Sequence, residues 1–254
     1  MLKISGKEGR PYSILFRGCG FMVLYYVGVF SALQALSPDI MKSARRIYGA
    51  SSGSLLTTTG LMIALLCFAS DEVLEYFFSR LKISLWGLVP GGKVFRMLRE
   101  TLDKFLPPNA HELVSGKLHI ILTRVHDWRC VTVSEFASKE ELIQVGAATA
   151  TREGGAGRHL APCPVSQRYV DGELAMWTAD FVSRSTITIS AFAGEYDICP
   201  KDGPAAFLTF QLSDSVSPLQ QPSCTDCCLP SQVMELFYVQ GYQDTVSFLK
   251  RLSK

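Results

Sequence analysis

The pentapeptide Gly49-Ala50-Ser51-Ser52-Gly53 centres a serine in the pattern G-x-S-x-G. Ile47 and Tyr48 precede it and an apolar run, 55–69, follows, so the stretch reads as strand, sharp turn and helix. A serine on such a turn sits in strained backbone, and glycines flank it because side chains there would collide with strand and helix. The turn pushes the hydroxyl out at the carboxyl edge of a sheet, above a helix N-terminus that favours developing negative charge. The chemistry this permits is nucleophilic attack by the serine oxygen. A small-residue turn that only packs a helix on a strand has the same spacing, so the rest of the chain must decide.

A serine nucleophile needs a base and a place for an oxyanion. The four histidines are His111, His119, His126 and His159, and no local motif singles one out. Asp171 follows the strand-like Tyr169-Val170 and precedes Gly172. A carboxylate there points out at the edge where α/β sites lie, although an Asx-turn residue fits the same pattern. With a reference pKa near 3.9, an aspartate acts as base only in a partly desolvated pocket. Gly18-Cys19-Gly20 follows a first strand and offers backbone amides at a helix start, suited to an oxyanion or a phosphate. A dinucleotide fingerprint fails, because Val23 stands at the third glycine position and no matching acidic residue follows a second strand. A phosphate-binding P-loop is absent as well.

The elements that position these groups begin with a strand over 13–16, ended by Arg17-Gly18-Cys19-Gly20. A helix over about 21–36 follows, with Pro38 beyond it, and residues 44–48 lead into the second strand. Two strand-loop-helix units in succession are the pattern of a parallel sheet with crossover helices. Ser70-Asp71-Glu72 starts another helix, with Val73, Leu74, Phe77, Phe78 and Leu81 on its core face. Pro90-Gly91-Gly92 breaks the chain, and Val94, Phe95, Leu98, Leu102 and Phe105 mark an amphipathic helix closed by Pro107-Pro108. Residues 118–123 and 130–136 read as a hairpin of strands around a turn at 126–129. Ser138-Lys139-Glu140-Glu141 is a capping box. Residues 151–167 read as an irregular loop, 186–190 as a strand, 213–230 as flexible and 245–252 as a final helix. With no internal repeat and no strong linker, the expectation is one domain over 13–252 after an N-terminal extension, 1–12.

The 254 residues are 48% hydrophobic and 19% charged, against about 25% charged in an average soluble domain. Mean hydropathy is +0.19, so a large core and a locally apolar surface are expected. A net charge of +2 argues neither for nucleic acid nor for an anionic membrane surface. The polar N-terminus lacks an apolar signal region, so the eight cysteines read as reduced thiols of a cytoplasmic protein. Cys224 and Cys227 form a C-x-x-C without a second ligand pair, so no metal is expected. The uncharged run 19–36 sits at the lower limit of about 18–20 residues for a membrane span. Buried core helices are the expectation for it and for run 60–69, which is too short to span a bilayer, because both follow strand-and-turn patterns.

These pieces in this order resemble the patatin-like phospholipase family, in particular its vertebrate adiponutrin and adipose triglyceride lipase branch, with the ceramide-acylating member also similar. The matching stretches are Gly18-Cys19-Gly20-Phe21, Ala44 through Gly53, Leu122-Thr123-Arg124, Ser138 through Ile143, Arg168-Tyr169-Val170-Asp171-Gly172, Thr186 through Ser190, Asp197-Ile198-Cys199-Pro200 and Gly241-Tyr242. The resemblance implies an α/β three-layer sandwich, a mostly parallel central sheet with helices on both faces. It implies a Ser-Asp dyad without histidine, Ser51 as nucleophile and Asp171 as base. Gly18, Cys19, Gly20 and Phe21 would form the oxyanion hole, and Gly49, Ala50, Ser52 and Gly53 the elbow. Substrates would be lipid acyl esters such as triacylglycerol, met peripherally at a membrane or lipid-droplet surface, with no cofactor and no nucleic acid. Three departures stand out: Val23 in place of a glycine, Glu173 where a small residue follows Asp-Gly, and the segment 150–167 with Arg152, Glu153 and Arg158. Two readings follow, an acyl hydrolase or transacylase working through acyl-Ser51, and a catalytically impaired lipid-binding or regulatory relative.

Overall fold

Strands β1 (Ser13–Phe16), β2 (Arg46–Ala50) and β3 (Leu118–Arg124) are short apolar runs, as expected of strands covered on both faces. A computed structural model describes residues 11–19, 22–66, 92–150, 169–178, 185–201 and 231–253. In it β2 lies between β1 and β3, and β1 between β2 and β6 (Thr186–Ile189), all parallel. β4 (Arg129–Val133) runs antiparallel along the outer edge of β3, and β5 (Tyr169–Asp171) pairs antiparallel with β3. The expected α/β architecture with a mostly parallel sheet is therefore present.

The helices are α1 (Val23–Leu36), α2 (Asp39–Ser43), α3 (Ser52–Leu66), α4 (Gly92–Phe105), α5 (Ala110–Val114), α6 (Lys139–Ala150) and α7 (Ser231–Leu252). Because successive strand residues point to opposite faces, the sheet carries two cores. Ile14, Phe16, Ile47, Leu118, Ile120 and Leu122 face the larger one, with residues of α1, α3, α6 and α7. Leu15, Tyr48, Ala50 and Ile121 face a smaller one with Met176, which belongs to a 3-10 segment, Gly172–Thr178.

The uncharged helix α1 belongs to the core, and no helix among the described residues is long and apolar enough to cross a membrane. It crosses α7 at backbone contact. A Cβ on Gly28 would lie 2.1 Å from the Tyr238 carbonyl oxygen, and one on Gly241 would lie 2.1 Å from that of Tyr25. This crossing explains why α7 starts at Ser231 rather than 245. Gly241 weakens the helical pattern in sequence, yet it is the residue that lets the two axes approach. α1 begins at Val23 rather than 21.

β4 also ends earlier than the expected 136, at Val133. Ser134 turns away to accept the Gly116 N–H at 2.8 Å, and the Phe136 N–H is taken by Ser115 Oγ at 3.2 Å. The start of α6 is capped from Ser138, whose Oγ accepts the Glu141 N–H at 3.1 Å. The Glu141 carboxylate returns to the Ala137 N–H, one residue earlier than the usual capping box. The helix expected over 70–81, the loop 151–167 and the segment 213–230 lie outside the described residues.

Candidate active site

The sheet register brings Ser51 and Asp171 together. Gly49 and Ala50 of β2 pair with Ile120 and Ile121, which also pair with β4, so β2 and β4 occupy opposite edges of β3. Beyond Ile121, residues 122–124 keep β4 on one edge and take β5 on the other, with Asp171 opposite Leu122. β5 thus continues the edge that β2 leaves, and Asp171 arrives at the level where β2 turns away at Ser51. The Ser51 hydroxyl donates to Asp171 Oδ2 at 2.9 Å.

The turn at Ser51 has the strained geometry that its sequence demands. Ser51 has φ +53°, the left-handed region that a side chain resists at a cost of about 1–3 kcal/mol. The surroundings hold it there. A Cβ on Gly49 would come within 2.6 Å of Ser54 Cα, and one on Gly53 within 2.4 Å of the Arg17 carbonyl oxygen. The Ser51 carbonyl accepts from Ser54 Oγ at 2.6 Å and from the Ser54 N–H at 3.0 Å, closing the first turn of α3. The positive end of α3 therefore lies beneath the hydroxyl.

Asp171 is fixed from both sides. Its Oδ1 accepts the Glu173 N–H at 2.9 Å, while Oδ2 faces Ser51. Gly172 lies so close to β3 that a Cβ there would stand 2.1 Å from the Ile121 carbonyl oxygen. The 3-10 segment is anchored further on, where Thr123 Oγ1 accepts the Ala175 N–H at 3.1 Å.

Gly18 and Cys19 lie beside the serine with their amides engaged. The Gly18 N–H donates to Glu173 Oε2 at 2.9 Å, and the Cys19 N–H to Ser52 Oγ at 3.1 Å. Burial outweighs the Ser52 hydrogen bond and pushes the Cys19 thiol up to about 12, so it is no nucleophile near neutral pH. Val23 opens α1 and is buried in the larger core. Gly20, Phe21 and the segment 151–167 lie outside the described residues.

Two residues that sequence reasoning missed complete the site. Arg17 Nε donates to Glu173 Oε1 at 2.7 Å, and the two side chains form an ion pair. The same guanidinium donates to the Tyr196 hydroxyl and lies 5.2 Å from that ring's centroid. Burial lowers the Arg17 pKa, but Glu173 and Tyr196 overcome this and raise it, so the charge is held. No local pattern marks this pair, since Tyr196 follows Arg17 by 179 residues. Only the placement of β6 beside β1 brings them together.

The imidazoles lie in other settings. His119 sits in β3 with its ring 4.9 Å from that of Tyr48, and burial followed by the Arg46 charge lowers its pKa. His111 is in α5 and His126 in the β3–β4 turn. His159 lies outside the described residues. The site thus offers a strained serine hydroxyl bonded to an oriented carboxylate over a helix N-terminus. These are parts for a nucleophile and a base.

Curated proteins resemble this chain over nearly its whole length. The omega-hydroxyceramide transacylase of Homo sapiens is 35% identical over 263 residues, covering 98% of this chain and 47% of that protein. Patatin-like phospholipase domain-containing protein 2 of Homo sapiens is 34% identical over 247 residues, 95% of this chain and 49% of the relative. The 1-acylglycerol-3-phosphate O-acyltransferase Pnpla3 of Mus musculus is 32% identical over 251 residues, 95% of this chain and 59% of its own length. The chain spans about half the length of the curated relatives it matches. No family model matches. Among solved structures, VipD from Legionella pneumophila aligns over 96% of this chain and 67% of its own, with a TM-score of 0.47 and 12% identity. With relatives of this kind aligned over nearly its whole length, the chain belongs to the patatin-like phospholipase domain proteins.

Proposed function

We propose that this chain is a lipid acyl hydrolase or transacylase, working through an acyl-Ser51 intermediate as one catalytic domain over 13–252. The observation that carries the reading is the 2.9 Å hydrogen bond from Ser51 Oγ to Asp171 Oδ2 on a strained elbow. Ser51 Oγ attacks the acyl carbonyl carbon while its proton passes to Asp171 Oδ2. The carbonyl oxygen becomes an oxyanion directed at the backbone amides after β1. Collapse breaks the ester C–O bond, and the departing alcohol takes the proton from Asp171. In the second half, water or a lipid hydroxyl gives its proton to Asp171 and attacks acyl-Ser51. The acyl–Oγ bond then breaks, Ser51 Oγ takes the proton back from Asp171, and free acid or a new ester leaves.

The names of the relatives include a transacylase and an acyltransferase, which supports a hydroxyl as the second acceptor. We place triacylglycerol among the acyl donors and the protein peripherally at cytoplasmic membrane or lipid-droplet surfaces. Leu174, two residues beyond Gly172 and 47% exposed, gives this side of the site an apolar contact for an acyl chain. A fluorophosphonate probe tests the proposal. Ser51 should be labelled in the wild type and unlabelled in Ser51→Ala, and triolein emulsions should yield acid or transferred ester. Folded wild-type protein that neither labels nor turns over acyl ester sinks the reading. The second reading, a relative that binds lipid without turnover, draws its support from the Glu173 carboxylate on the Gly18 amide.

A further inference from the structure

The carboxylate of Glu173 occupies the ground that an acyl carbonyl needs. The Gly18 N–H has a single hydrogen, and Glu173 Oε2 holds it at 2.9 Å. A Cβ built on Gly18 would lie 3.1 Å from Ser51 Cβ and 3.4 Å from Glu173 Oε2. The carboxylate oxygen and the nucleophilic side chain therefore flank the same small space over Gly18. The oxygen of an acyl carbonyl whose carbon Ser51 attacks would meet an occupied donor. An oxyanion forming there would face a fixed negative charge, the opposite of what a preorganised oxyanion site supplies.

We propose that Glu173 is a gate on the oxyanion position, closed as it stands, and that an acyl ester reaches Ser51 only when Oε2 leaves the Gly18 amide. The proposal rests on the acyl-Ser51 reading. Three features make Glu173 a gate rather than a permanent plug. Its other oxygen is held by Arg17 Nε at 2.7 Å, so the carboxylate keeps a cationic partner when it releases Gly18. Arg17 is itself braced, by the Tyr196 hydroxyl and by Tyr26, whose hydroxyl donates to the Arg17 carbonyl at 2.7 Å. The side chains of Arg17 and Glu173 are 26% and 30% exposed, so Glu173 can turn toward water on its Arg17 contact without burying an unpaired charge.

The backbone of Glu173 has a separate task. Its N–H orients Asp171 Oδ1 at 2.9 Å, and replacement by alanine or glutamine leaves that donor in place. Gate and base orientation can therefore be separated by experiment.

The test compares wild type and Glu173→Ala for the rate at which a fluorophosphonate labels Ser51, because the phosphoryl oxygen of the probe takes the oxyanion position. Removing one oxyanion donor costs about 10²–10³ in rate, so freeing one should accelerate labelling by roughly 10-fold or more. In ¹⁵N-labelled protein the Gly18 amide proton should shift upfield in Glu173→Ala as its charge-assisted hydrogen bond is lost. Faster labelling together with that shift supports the gate. Folded Glu173→Ala that labels at the wild-type rate or slower overturns the gate and leaves the acyl-serine reading standing. An unmoved Gly18 resonance also overturns it. If neither protein labels Ser51, the acyl-serine reading falls and the gate with it, whatever the resonance does. Should Glu173→Ala fail to fold, Glu173→Gln, which keeps the volume and removes the charge, is judged by the same criteria with a smaller acceleration.

Discussion

Replacing Asp171 by asparagine should silence Ser51 while leaving the fold in place, and the structure fixes why. An asparagine carries one carbonyl oxygen and one NH₂ group, so it cannot accept on both sides. Asp171 now accepts on both, from the Glu173 N–H at 2.9 Å and from Ser51 Oγ at 2.9 Å. If the asparagine oxygen faces Glu173, its NH₂ faces Ser51 and offers a donor where the serine proton must go. The opposite orientation sets NH₂ against the Glu173 N–H and leaves a partly buried donor unpaired, at a cost of about 1–3 kcal/mol. The first orientation is thereby favoured by about 5- to 160-fold, and neither contains a base. Loss of a positioned general base costs about 10²–10⁴ in rate, or about 2.7–5.4 kcal/mol of barrier at 1.36 kcal/mol per tenfold. The assay is the second-order rate of fluorophosphonate labelling of Ser51 at neutral pH, read beside the melting temperature. Asp171→Asn that labels within about threefold of wild type, where a general base should have cost at least 10², refutes the dyad.

Other expectations follow from the same geometry. Gly28→Ala and Gly241→Ala each press a Cβ to 2.1 Å from a carbonyl oxygen of the facing helix. Overpacking costs about 1–3 kcal/mol and exceeds the helix gain of about 0.5–1 kcal/mol. Thermal unfolding should show melting several degrees lower, at about 2–4 °C per kcal/mol, and a melting point at or above wild type would contradict the crossing. Gly172→Ala forces β5 off Ile121, so Ser51 labelling should drop at least tenfold, in line with the sensitivity of catalysis to 1 Å displacements. Cys19, buried and with its thiol pushed up to about 12, should resist iodoacetamide at pH 8 until urea unfolds the protein, as read by peptide mass. His119 has its pKa lowered from 6.5 in the fold, chiefly by burial. The unfolded chain binds its proton first, so this residue's contribution to stability is present above 6.5 and is lost as pH falls below it. Urea midpoints at pH 7.5 and 5.5 should differ less in His119→Gln than in wild type.

Local sterics made the elbow legible. The spacing of Gly49, Ser51 and Gly53 follows from contacts within a few residues of the turn and with the adjacent end of β1. Asp171 was legible in part, because a strand end followed by glycine names a place on the sheet edge but not its neighbour. That neighbour follows from β5 taking over the edge of β3 at Leu122, a pairing that no local pattern reports. Glu173 was visible as a charge beside the base. Its reach back to Gly18 was not, since the contact spans 155 residues and depends on Arg17. The length of α7 was hidden for the opposite reason, since Gly241 weakens a helix in isolation and becomes favourable only against Tyr25.

The handover from β2 to β5 on one edge of β3 also bears on how the chain acquires its site during synthesis. The elbow is complete in sequence by Gly53, but its partner carboxylate emerges 120 residues after Ser51. Until then residues 122–124 present open backbone on the edge that β5 later covers. An unpaired strand edge is a template for association with other chains, and closing so long a loop is slow. A nascent chain released before residue 169 would carry a strained serine with no base and a sticky strand. Chaperone capture of the ribosome-bound chain is therefore expected to fall once β5 has cleared the exit tunnel.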